Sequence, residues 1–185
     1  MKEVKQSLLL HSCCAVCSSH VLYVLSQEYD VTVFYYNPNI WPEEEYLHRK
    51  SEQIRLINEA AFCSEVKYVD RDYDHDEYLA YVHGLESEPE GGKRCEKCFE
   101  LRLGETAKYA SENGFELFCT TLTVSPHKNA PLINRIGDEL ADQYGIRWLT
   151  SDFKKKDGYL HSVQLAKEYS LYRQKFCGCE FAWRG

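Results

Sequence analysis

Seven of the nine cysteines stand in three short groups, Cys13-Cys14-x-x-Cys17, Cys95-x-x-Cys98 and Cys177-x-Cys179, near the start, middle and end of a 185-residue chain. Thiolates bind soft metals; a structural zinc takes four ligands and a redox-active pair takes two. Seven clustered thiols exceed either need, so the pattern points to an iron–sulfur cluster with room for a second metal beside it. Taken singly, the groups are less specific. Cys95-x-x-Cys98 suits a redox disulfide or half of a zinc site as well. On a helix both sulfurs share one face, with Leu101 continuing the stripe and Arg102 one position beyond. In Cys177-Gly178-Cys179 the glycine lets backbone approach a bulky inorganic core, and the plain alternative is a zinc knuckle stapling this segment. Cys63 and Cys119 stand apart, where a thiol behaves as a small core hydrophobe. The histidines show no metal-ligand spacing. His11, beside the first group, and His127, in Ser125-Pro126-His127-Lys128, are the two placed to approach such a site, although lone histidines more often sit on surfaces or in satisfied cores.

Those groups must be brought together by a fold, and the composition supplies one. With 44% apolar and 14% aromatic residues, 185 residues can bury a sizeable core and suit a single domain spanning 1–185. The early apolar run Leu8-Leu9-Leu10 is too short for a secretory leader or a membrane span, so the chain reads as cytoplasmic. Thiols stay reduced there, which favours metal or redox chemistry over a disulfide framework. The net charge of −7 weighs against a nucleic-acid partner, but the charge is uneven. Residues 41–90 hold fourteen acidic and five basic side chains, a balance of −9, whereas 91–185 hold twelve acidic and fifteen basic, a balance of +3. Lys93, Arg94, Lys97 and Arg102 flank the middle cysteine pair, and Lys154, Lys155, Lys156, Arg173 and Lys175 precede the last. A solvated surface and a phosphate-binding patch both account for such runs.

Strand and helix patterns alternate. Ser7–His11, Val31–Tyr36, Glu65–Val69, Phe115–Thr121 and Ile146–Thr150 read as strands. Cys17–Glu28, Pro42–Ala61, Asp74–Leu85, a segment bearing Cys95 and Cys98 and stopped by Gly114, Ala130–Tyr144 and Ser162–Leu171 read as helices. This predicts an α/β, Rossmann-like, nucleotide-hydrolase-like fold, a mostly parallel sheet with helices on both faces and its chemistry at the carboxyl ends of the strands. The first cysteine group falls in the loop after the first strand, expected to run from Ser12 to Cys17 with Ser18 opening the helix. Phosphate-binding α/β folds place a glycine-rich loop here, yet Ser12–Ser19 contains no glycine, which makes phosphate cradling improbable.

Five ordered segments then resemble a known family. They are His11-Ser12-Cys13-Cys14-Ala15-x-Cys17-Ser18, Tyr36-Asn37-Pro38-Asn39-Ile40, Arg94-Cys95-x-x-Cys98-Phe99-x-x-Arg102-Leu103, Thr120-Thr121-Leu122-Thr123-x-Ser125-Pro126-x-Lys128, and Leu171-Tyr172-Arg173-Gln174-x-Phe176-Cys177-Gly178-Cys179. Together the chain resembles the QueH family of epoxyqueuosine reductases, departing from it at Val16, where proline is usual, and in the tail Phe181-Ala182-Trp183. The resemblance implies the last step of queuosine synthesis, reduction of an epoxide on a modified base of the tRNA anticodon loop to the alkene. It implies a [4Fe–4S] cluster with an additional mononuclear iron nearby, no cobalamin, an unidentified electron donor and no membrane. On this reading Cys17, Cys95, Cys98 and Cys177 hold the cluster, and Cys13 or Cys14 with Cys179 and Asp152 hold the second iron. Cys13, Cys14, Asp152 and Tyr172 are the candidate catalytic residues, with Tyr35, Tyr36, His11 and His127 as further proton donors. Tyr36, Asn37, Arg102, Lys128, Lys154 and Arg173 are candidate substrate or tRNA contacts. Arg94, Arg102 and Arg173 would offset cluster charge, and Trp41 or Tyr36 would receive a flipped base.

Two other classes stay open. An ATP-dependent tRNA-modifying or sulfur-transfer enzyme on a similar frame lacks its glycine-rich loop here. A zinc-stabilised RNA-binding protein without redox chemistry would be colourless, with stoichiometric zinc and no labile sulfide.

Overall fold

The structure is a computed structural model that describes residues 4–182, so Trp183 of the tail lies outside the described residues. Five strands form one sheet: β1 (Gln6–His11), β2 (Tyr29–Tyr35), β3 (Lys67–Asp70), β4 (Leu117–Thr120) and β5 (Arg147–Trp148). All neighbours are parallel, in the order β3-β2-β1-β4-β5. Leu8, Leu9 and Leu10 are fully buried, which is why β1 reads as a continuous apolar run: a central parallel strand is covered on both faces. Leu8 and Leu10 pack with α1 (Ala15–Glu28), α2 (Glu43–Glu59) and α6 (Gly158–Glu168), whereas Leu9 points to the other layer, α4 (Lys93–Glu112) and α5 (Ala130–Tyr144). A short helix, α3 (His75–Tyr81), packs against α4.

Consecutive crossovers leave in opposite directions from β1 and β4. The crevice between their carboxyl ends is the switch point at which such sheets do chemistry. Two loops meet there, residues 12–14 after β1 and residues 121–129 after β4. Backbone bonds fasten both to the strand ends: Ser12 N–H donates to Phe34 O at 3.1 Å and Thr121 N–H to His11 O at 3.0 Å.

The expected architecture stands, with every strand parallel, and the boundaries shift in two informative places. Helix α1 begins at Ala15, so Cys17 belongs to its first turn instead of to the loop. Helix α6 begins at Gly158 and ends at Glu168, a turn ahead of the expected Ser162–Leu171. At Gly158 an added Cβ would lie 1.7 Å from Phe153 O and 2.7 Å from His20 Nε2, so only glycine lets the chain enter the helix there. No described helix is long and apolar enough to cross a membrane.

Candidate metal centre

Cys14 is the N-cap of α1, extended at φ −165° and ψ 158°, and Cys17 stands three residues on, over the same edge of the helix. With Cys13 they form a triad whose sulfurs lie within 4.8 Å of one another, Cys13 and Cys14 being 4.0 Å apart. The first turn of α1 has no acidic residue, so its positive end favours thiolates. Sulfur–sulfur hydrogen bonding with Cys14 and Cys17, followed by the charges of Arg102 and Lys128, holds Cys13 well below the ordinary thiol range. Hydrogen bonding with Cys13 pushes Cys14 up to about 12, and Cys17 is raised likewise. The three sulfurs thus share their negative charge unequally, as soft donors converging on one point would.

The other four thiols gather where α4 meets residues 171–179. Cys95 and Cys98 occupy the first turns of α4, and Cys95 Sγ accepts from Gly91 N–H at 3.2 Å. Cys98 and Cys179 pack together with Tyr78 and Val82. Burial raises both α4 thiols, Cys98 to about 11, and each feels the negative charge of Cys177 and Cys179. Residues 171–179 form no regular element and are held from outside. Gly178 O accepts from Trp41 N–H at 2.8 Å. The fully buried Arg49 donates to Cys177 O at 3.1 Å and Phe176 O at 3.2 Å and is fixed by Glu45 at 2.7 Å. Gly178 has φ 127° and a Cβ there would sit 3.1 Å from both Arg49 Nη1 and Ile40 Cγ1, so this turn is restricted to glycine.

Cations and an amide point at sulfur. Lys128 Nζ donates to Cys177 Sγ at 3.3 Å, Arg102 Nη1 to Cys98 Sγ at 3.5 Å and Gln174 Nε2 to Cys14 Sγ at 3.0 Å. Cys13 Sγ also lies 4.0 Å from Thr121 Oγ1, which joins the β1 and β4 loops. Sequence reasoning missed Arg49 altogether and gave Gln174 and Thr121 no role beyond membership of a motif; Glu45 four residues before Arg49 was the only local signal for it.

Other candidates are placed differently. Cys17 belongs by distance to the triad, apart from Cys95, Cys98 and Cys177 with which the sequence reading set it. The Asp152 carboxylate pairs with Lys154 at 2.9 Å and Lys155 at 3.7 Å, which also occupies the predicted phosphate contact Lys154. Tyr172 gives its hydroxyl to Glu45 at 3.0 Å and stacks on His48. Tyr36 donates to Glu77 at 2.7 Å, and Asn37 donates to Ser12 O at 2.8 Å, bracing the β1 loop. Arg94 binds the carbonyls of Leu85, Glu86 and Glu88 and lies over Phe181, so it anchors the loop before α4. Arg173 and His127 are exposed. The buried Tyr35 hydroxyl has no hydrogen-bond partner among the described residues.

His11 is fully buried between Thr120, Tyr36 O and Asn37. Burial, then the charge of Arg102, lowers its pKa from 6.5 to about 3, so at neutral pH it is a neutral hydrogen-bonding post and no proton donor. A depressed folded-state pKa stabilises the fold above 6.5, and that contribution is lost as pH falls toward 3. Urea midpoints of the metal-free protein are expected to drop through this window, with a shallower slope in His11→Gln; equal slopes would refute the assignment.

Comparison with known proteins fits this geometry. A family model described as "Epoxyqueuosine reductase QueH" matches residues 8–185. Proteins called epoxyqueuosine reductase QueH are similar along nearly the whole chain. The Streptococcus pyogenes protein is 44% identical over 183 residues, covering 98% of this chain and 72% of its own. The Staphylococcus epidermidis protein is 42% identical over 182 residues, covering 96% and 76%. The Thermotoga maritima protein is 36% identical over 179 residues, covering 95% and 90%. Among solved structures, a predicted subunit of a tRNA methyltransferase from Methanocaldococcus jannaschii superposes with a TM-score of 0.59 at 13% identity, covering 88% of this chain and 75% of that one; this bears on the fold alone. Matched by the family model from its first strand onward, and by relatives of that name over nearly its full length, the chain belongs to the QueH family of epoxyqueuosine reductases.

Proposed function

We propose that this protein reduces epoxyqueuosine in tRNA to queuosine without cobalamin, using a [4Fe–4S] cluster and a neighbouring mononuclear iron. The observation that supports this most is the triad of thiols with sulfurs within 4.8 Å at the switch point of the sheet, in a chain that also packs Cys98 against Cys179. The donor sets fit the two groups. Cys95, Cys98, Cys177 and Cys179 would supply four soft ligands on drawing together around one iron, whereas Cys13, Cys14 and Cys17 would leave one position of a cluster open for substrate or an oxygen ligand. This division moves Cys17 to the catalytic set and Cys179 to the closed one. Asp152 remains the candidate oxygen ligand: it follows β5 on the same sheet edge, and the next residue, Phe153, donates its N–H to Thr123 Oγ1 at 3.3 Å, two residues from the Thr121 that touches Cys13.

Converting an epoxide to an alkene takes two electrons and two protons and releases water, and the metal centres would supply the electrons one at a time. The chain's own residues shape the site. Asn37 and His11 fix the β1 loop, and Arg102 and Lys128 balance thiolate charge. The donor of the first electron is a separate protein or reductant. The experiment is to purify the protein without oxygen, assay iron, zinc and acid-labile sulfide, and incubate it with epoxyqueuosine-containing tRNA and a reductant. About four sulfides with more than four irons per chain and loss of one oxygen from the nucleoside by mass spectrometry are expected. Zinc without sulfide, or unchanged nucleoside with a full metal complement, would overturn the reading.

A further inference from the structure

Lys128 and Arg102 are unusual among the chain's cations. Among the described residues neither has a carboxylate within ion-pair distance, although Arg102 is 1% exposed and Lys128 is half-buried, with its ammonium 6.0 Å from the Phe99 ring centroid. Arg102 Nε has no hydrogen-bond partner among the described residues. A cation taken out of water needs an anion or a full set of acceptors. Here the neighbours are sulfurs: Cys177 for Lys128 at 3.3 Å and Cys98 for Arg102 at 3.5 Å. Both cations also act on Cys13 of the other thiol set, and Arg102 acts on Cys177 as well. The two sets therefore share two positive charges, on residues from different elements, α4 and the loop after β4.

We propose that Lys128 and Arg102 are positioning residues for electron transfer, a shared cationic bridge that raises the reduction potentials of both metal centres together. Resting on the division of thiols proposed above, this makes Lys128 part of the redox centre, where the sequence suggested a contact to tRNA phosphate. A positive charge in a low-dielectric site favours the reduced state, which holds one more electron, and hydrogen bonds to sulfur act in the same direction. A cation shared by two centres moves both potentials at once, so both electrons become easier to load.

The test uses the full chain, loaded with iron and sulfide without oxygen, as wild type and as Lys128→Gln, Lys128→Arg, Arg102→Gln and Arg102→Lys. Midpoint potentials are read by redox titration with electron paramagnetic resonance and visible absorption. Each glutamine variant should shift both centres to more negative potential by at least tenfold in the one-electron equilibrium, about 59 mV, while the charge-keeping variants stay close to wild type. Loaded glutamine variants with unchanged potentials would overturn the proposal, as would a shift confined to one centre. If the glutamine variants lose iron while Lys128→Arg and Arg102→Lys keep it, the shared charge is supported as a condition of assembly. Loss of iron from all four would assign these positions a role of shape and overturn it. Wild-type protein with zinc and no sulfide would overturn the functional reading first and this proposal with it, a result visible before any titration.

Discussion

Cys14→Ser protein purified without oxygen is expected to lose the iron and sulfide of the triad and to turn over epoxyqueuosine-containing tRNA at below roughly 1% of the wild-type rate. Removing a group that merely hydrogen-bonds a metal ligand costs roughly 10–100-fold, and a lost ligand should cost more. Cys14 is the sharpest choice within the triad. It is 1% exposed, caps α1, lies 4.0 Å from Cys13 and receives the Gln174 amide at 3.0 Å. Serine keeps the volume and the cap position, since serine is itself a favoured N-cap residue, and replaces soft sulfur by a hard hydroxyl of high pKa. A folded but metal-poor protein is the predicted phenotype. Cys63→Ser, at a core position with no metal-ligating neighbour, should retain full iron. Wild-type iron and turnover in Cys14→Ser would refute the triad as the catalytic centre.

Arg49→Met should be the most damaging substitution outside the cysteines. Its guanidinium is buried, accepted by Glu45 and by two backbone carbonyls, and placed 5.2 Å from the Phe176 ring centroid. Removing it leaves Glu45 as a largely buried carboxylate, 13% exposed, and orphans Phe176 O and Cys177 O. Breaking a buried pair in this way costs about 3–5 kcal/mol. The loss is specific in place, because the freed carbonyls belong to the segment that presents Cys177 and Cys179. Denaturant unfolding should report the stability loss, and metal analysis should show iron lost from the four-thiol set before the triad. Arg49→Lys should recover little, since an ammonium cannot bond Glu45 and two carbonyls through one planar fork. Iron and stability near wild type in Arg49→Met would show that residues 171–179 need no such support.

The sequence was informative where local chemistry decides the structure. Helix α5 runs from Ala130 to Tyr144 as expected, because the Asn129 side chain caps Leu132 N–H at 3.1 Å, Pro131 sits in the first turn and Gly145 follows the last. The strands were legible from apolar runs, since both faces of a parallel sheet are covered. Helix α6 was placed late, because its start depends on positive φ at Lys156 and Asp157, and the Asp157-Gly158 pair signals a turn without saying that a helix begins on it. The three thiol groups were visible from spacing alone. The closeness of Cys17 to Cys13 and Cys14 was not: it depends on α1 beginning at Ala15. Arg49 was hidden in an acidic helix that reads as solvated, and its partners lie 127 and 128 residues away. The sulfur beside Lys128 was not legible, because a lone lysine gives no sign that its neighbour will be a thiol 49 residues on.

Because residues 171–179 reach the loops after β1 and β4 without forming a helix or strand, the metal ligands they bring act as a buckle on a belt. Cys95 and Cys179 stand 84 positions apart in the sequence, so a metal bound to both, as proposed above, would close a long ring. Closing a long ring removes only slowly growing amounts of chain entropy, about 0.6 kcal/mol for each doubling of its length. The added length of the ring therefore takes little from a metal's binding free energy, and the larger part is left to hold the belt shut. Loading the metal and fastening the last segment become one event, and the protein's resistance to proteases becomes a record of whether its redox centre has been filled.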